Sequence, residues 1–74
     1  MTKNEIIAKV YDTRLDESVY IYVNGKMIDH NWACLVAKVL EENLEDDKNY
    51  EIDFDYPYHY RVYTAYGKVT VKEV

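Results

Sequence analysis

Two hydrophobic periods meet in this chain, and the join limits the folds open to it. From Trp32 to Leu44 the apolar residues Trp32, Leu35, Val36, Val39, Leu40 and Leu44 recur at three- and four-residue spacing. That is the buried stripe of an amphipathic helix. From Tyr50 to Asp55 the pattern switches to strict alternation, with Tyr50, Ile52 and Phe54 between Glu51, Asp53 and Asp55. That is a strand with one face on a core and the other in water. Only polar residues, Glu45 to Asn49, separate the two. A helix joined so closely to a half-buried strand must fold back onto the sheet that contains it.

The rest of the chain supplies further strands. Glu5 to Asp12 reads as one, with Ile6, Ala8 and Val10 on a shared face. Ser18 to Val23 is the clearest, being rich in β-branched and aromatic residues. Asn24-Gly25 follows, a strong hairpin signal because both residues tolerate positive φ, and Lys26 to Ile28 forms a short return strand. Asp29 or Asn31 then caps the helix, which runs to about Glu45. After the acidic strand, Tyr56-Pro57 bends the chain, because proline cannot donate to a ladder. Tyr58 to Ala65 is another strand, Tyr66-Gly67 a turn, and Lys68 to Glu73 the last strand. The expected fold is α+β: one α-helix packed on an antiparallel β-sheet of four to five strands.

At 74 residues the chain is a single domain, 1–74, too small to bury a large core. Domains of this size draw extra stability from disulfides, metals or association. Cys34 is the only cysteine, so no disulfide forms within the chain, and a reducing cytoplasm suits it. His30 and His59 are far apart and lack metal-ligand spacing. Association remains, and a homodimer is its commonest form. No apolar run approaches a membrane span, and the residues after Met1 lead directly into structure without the pattern of a signal peptide.

Charge is distributed unevenly. Glu41 to Asp55 holds eight acids (Glu41, Glu42, Glu45, Asp46, Asp47, Glu51, Asp53, Asp55) against Lys48, a net of -7. The remainder has six acids and eight bases, a net of +2, and together they give the formal -5. The first of these acids fall at the end of the expected helix, where unpaired carbonyls already carry negative charge and Lys or Arg is preferred. Glu41 and Glu45 also repel each other at i,i+4 spacing. In the strand, successive carboxylates stand roughly 6.6 Å apart. Placement against local stability points to a binding surface for a cationic partner; the alternative is a solvated face that merely keeps the chain soluble. The same charge argues against direct contact with nucleic-acid phosphates.

Nothing in the chain assembles a catalytic motif, and no cofactor is implied. Cys34 lies beside the apolar stripe and reads as a packed side chain. Ser18 has no nucleophile-elbow context, and Gly25 and Gly67 are explained by turns. The acids lack the glycine-bearing loop of a calcium site. His59, between Tyr58 and Tyr60, reads as a surface strand residue. There are nine tyrosines, more than so small a core can bury with their hydroxyls, so some are expected in an interface.

With Glu41-Glu42, Glu45-Asp46-Asp47 and the Glu51/Asp53/Asp55 row in view, the chain resembles the small acidic DNA-mimic proteins that phages make to disable host factors. It is similar in particular to phage inhibitors of the bacterial nucleoid-associated protein HU. The resemblance covers the whole chain in size, acidity and α+β pattern. It implies a non-enzymatic, homodimeric host-takeover protein of the bacterial cytoplasm that occupies the DNA-binding face of a basic, HU-like partner. An acidic inhibitor of a host nuclease, in the manner of an anti-CRISPR, or of RNA polymerase is the alternative.

Overall fold

The structure, a computed structural model, describes residues 1–15, 17–55 and 67–74. The first element is a helix, α1 (Lys3–Thr13), and not the strand expected from Glu5 to Asp12. Ile6 and Val10 satisfy both patterns, because residues four apart share one face of a strand and also lie about one helical turn apart. The capping box decides between them. The Glu5 amide donates to Thr2 Oγ1 at 3.3 Å, and the Thr2 amide donates to the Glu5 carboxylate at 2.9 Å. Two of the donors left open at a helix start are thereby satisfied. Ile6 and Val10 are buried, and Arg14 closes the helix in the left-handed region at φ 62°.

β1 (Ser18–Val23) follows as expected and turns at Asn24 and Gly25, with φ of 51° and 84°. Two successive positive φ values are what a tight two-residue hairpin turn requires. β2 (Lys26–Trp32) is longer than the return strand anticipated. It pairs antiparallel with β1 from Val23↔Lys26 to Ser18↔Trp32, with one bulge beside Ile21 and Tyr22. Asp29 and Asn31 therefore lie within a strand and do not cap a helix. The Ala33 amide donates to the Glu17 carbonyl at 2.7 Å and closes the ladder. A single 3-10 turn, Ala33–Leu35, leads into α2 (Val36–Asn43). Starting late turns the front of the expected stripe outward, so that Trp32 is 62% exposed and Leu35 36%. Val36, Leu40 and Leu44 are buried as the spacing predicts, Val39 is only partly buried, and Ala37 beside the stripe is buried as well.

β3 (Tyr50–Asp55) and β4 (Gly67–Glu73) complete a four-stranded sheet in the order β2-β1-β4-β3. β3 pairs antiparallel with β4, but β1 and β4 are parallel. The fold is α+β as expected, with two helices rather than one and a mixed rather than antiparallel sheet. The bend at Tyr56-Pro57, the strand Tyr58 to Ala65, His59 and Tyr66 lie outside the described residues.

Both helices cover the same face of the sheet. Ile6 and Val10 of α1 join Val36, Ala37 and Leu40 of α2, with Leu44, over Val19, Ile21, Tyr50, Val69 and Val71. The opposite parity puts Tyr20, Tyr22, Lys68, Thr70, Lys72, Glu51, Asp53 and Asp55 on the face turned away from the helices. No helix among the described residues is long and apolar enough to cross a membrane.

Candidate partner-binding surface

All eight acids of residues 41–55 are exposed, but they fall into two groups with different surroundings. The first lies at the end of α2 and in the turn after it, and lysines from elsewhere meet it. Lys3, at the start of α1, donates from Nζ to the Glu41 carbonyl at 3.3 Å and pairs with Asp46 at 3.3 Å. It places a cation where the helix dipole needs one. The side chain is held down, only 16% exposed. Lys38 pairs with Glu42 at 3.6 Å, and Lys48 with Glu45 at 3.9 Å and Glu73 at 3.4 Å. Glu45 first, and then Glu73, hold the Lys48 ammonium above its usual pKa. The Glu45 amide donates to the Tyr50 hydroxyl at 2.8 Å, which fixes the turn to the start of β3 and satisfies that buried tyrosine.

The second group is the β3 row. Glu51, Asp53 and Asp55 stand on the face away from the helices, opposite Lys72, Thr70 and Lys68 of β4. Together they line a shallow hollow of about 510 Å³. Lys68 leans toward β1, its Nζ 5.0 Å from the centre of the Tyr22 ring. The acids are thus not one continuous ladder. Counting Glu73 and the lysines at 3, 38, 48, 68 and 72, this neighbourhood carries -4 rather than -7. Among the described residues, Glu41, Asp47, Glu51, Asp53 and Asp55 make no ion pair within 4.0 Å.

The row also runs along an edge of the sheet. The Tyr50 amide donates to the Met1 carbonyl at 2.7 Å, and the Met1 ammonium donates to the Tyr50 carbonyl at 2.7 Å. On the other side, the Val74 amide donates to the Asn49 carbonyl at 3.0 Å, in register with β4. Alternation then directs the backbone groups of Glu51, Asp53 and Asp55 toward β4 and those of Tyr50, Ile52 and Phe54 outward. The opposite edge, β2, is finished differently. Its outward amides at His30 and Trp32 donate to the side chains of Asp29, at 2.9 Å, and Asn31, at 2.9 Å. The Asn31 amide nitrogen in turn donates to Asp29 at 3.1 Å.

A second hollow, about 610 Å³, lies where the end of α1 meets the start of α2. Val10, Tyr11, Arg14, Trp32, Ala33 and Cys34 help to line it. Sequence reasoning missed it because Tyr11 belonged to a supposed strand and Trp32 to a supposed buried stripe. Cys34 is exposed here rather than packed. Elsewhere His30 stacks on Tyr20 with centroids 4.0 Å apart and lies 3.2 Å from Ser18 Oγ. No further hydrogen bond to that ring occurs among the described residues. No cluster of three potential metal ligands occurs among the described residues. No known family, curated protein or solved structure matches this chain.

Proposed function

We propose that this chain is a non-enzymatic, phage-type inhibitor that acts as a DNA mimic in the bacterial cytoplasm. Its acidic surface occupies the DNA-binding face of a basic host protein, by preference the nucleoid-associated HU, and blocks its access to DNA. The observation that carries the reading is the set of carboxylates that make no ion pair among the described residues, three of them in line on β3. Paired acids offer a cationic partner little, because binding would first break a pair the chain already has. Glu51, Asp53 and Asp55 can pair with incoming Lys or Arg at no such cost. The row, with residues roughly 6.6 Å apart, repeats at about twice the ~3.4 Å phosphate spacing along one DNA strand. The lysines of β4 confine the mimicking surface to a strip at the sheet edge. Homodimerisation belongs to the same reading. Its support is the pair of large apolar side chains at the α1–α2 hollow, Tyr11 at 71% and Trp32 at 62% exposure.

Affinity capture from bacterial lysate with the tagged chain, washed at increasing salt, tests the reading. Recovery of a basic nucleoid protein, released by competing duplex DNA, is the expected result. Recovery of a nuclease or RNA polymerase would keep the acidic mechanism and change its target. Recovery of no basic protein would leave the acids as a solvated surface.

A further inference from the structure

We infer that the outer edge of β3 takes up an extended basic segment of the partner as a fifth strand, antiparallel to β3. The segment would alternate cationic and apolar residues over about five positions. The inference rests on the proposed binding of a basic partner and specifies how the contact is made. Backbone direction is the starting point. The amides and carbonyls of Ile52 and Phe54 point away from β4, and no hydrogen bond to them occurs among the described residues. An unpaired strand edge of this kind is a template for another strand. Met1 occupies the rung at Tyr50, so an incoming strand can engage only from Ile52 onward, which sets its register. The β2 edge cannot serve in the same way, because Asp29 and Asn31 already accept from its outward amides.

Side-chain alternation then fixes the chemistry of the segment. Residues opposite Ile52 and Phe54 lie over the helix-covered side, next to two half-buried apolar groups, and must be apolar. Residues opposite Glu51, Asp53 and Asp55 lie on the other face, beside three exposed carboxylates that make no ion pair among the described residues, and must be Lys or Arg. The backbone bonds supply affinity and the alternation supplies selectivity. A basic groove of a folded protein would use the carboxylates alone; an added strand needs the edge as well.

The probe is a blocked heptapeptide of alternating lysine and valine, titrated into the full chain and followed by amide resonances. Its control has the same composition with lysines and valines in two blocks. The alternating peptide is expected to bind at least about tenfold more tightly, the factor one good hydrogen bond can supply. It should slow exchange of the Ile52 and Phe54 amides and lose its advantage when N-methylated on its valines. N-methylation on its lysines, whose amides face outward, should have little effect. Phe54→Pro removes an outward donor without breaking the β4 ladder and should remove the preference while the fold persists. Equal affinity for both peptides, or unchanged exchange at Ile52 and Phe54, overturns the inference. If basic proteins are still captured from lysate in that case, the acidic-surface reading survives without the added strand. If none is captured, both readings fail.

Discussion

The two edges of the sheet are built from similar polar material and put it to opposite uses. On β2, Asp29 and Asn31 fold back onto the amides of His30 and Trp32. On β3, Glu51, Asp53 and Asp55 accept no backbone hydrogen bond among the described residues, and the amides of Ile52 and Phe54 find no partner among them. Short polar side chains readily capture nearby backbone donors, so sequence position decides which edge is closed. In β2 each capturing residue directly precedes the outward amide it serves. In β3 each acid also neighbours an outward amide, yet it extends into solvent beside the lysines of β4.

Substitutions on and beneath the two edges test this contrast. The largest effect is expected from Ile21→Ala, at the fully buried centre of the strand that joins β2 to β4. A buried cavity there should cost about 2–5 kcal/mol, read from the denaturant midpoint, and both edges should lose their definition together. The paired change Asp29→Ala and Asn31→Ala should cost about 1–2 kcal/mol through the lost hydrogen bonds. It should also open β2, giving concentration-dependent association in sedimentation that the parent chain shows less of. Tyr50→Phe removes the acceptor for the Glu45 amide and should cost about 1 kcal/mol while loosening the turn into β3. Amide exchange at Glu45 should accelerate, and exchange at His30 should not.

The smallest effect concerns Lys48. Its pKa is raised in the folded chain, mainly by Glu45, so its contribution to stability is fully present below its ordinary value of 10.5. That contribution is lost as the pH climbs through the raised folded value. Lys48→Met should therefore lower the melting temperature slightly at neutral pH, and the difference should vanish in strongly alkaline solution.

Much of the fold was legible from local chemistry. The hairpin at Asn24-Gly25, β1, and the alternation of β3 and β4 all follow from turn geometry and period-2 patterning. α1 was not, because Ile6, Ala8 and Val10 fit a strand and a helix alike; the signal that separates them is Thr2-x-x-Glu5, a capping box. The junction of β2 and α2 was misplaced because Asp29 and Asn31 are good helix caps that here serve an edge. The parallel pairing of β1 with β4 depends on contacts distant in sequence and has no local marker.

The candidate surface was half legible. The acids and their strand alternation were visible, but the answering lysines were not. Lys3 is 38 residues from Glu41, whose carbonyl it caps. That contact offsets much of the dipole cost of acids at the end of α2.

The most direct test of the account is a titration of bacterial HU with the purified chain and with the variant Glu51→Gln, Asp53→Asn, Asp55→Asn, at low and moderate salt. Salt-sensitive binding by the parent chain, displaced by duplex DNA and lost in the variant, is expected, while both chains unfold at closely similar temperatures. A variant that binds HU as tightly as its parent, or a parent that does not bind HU at all, would contradict it.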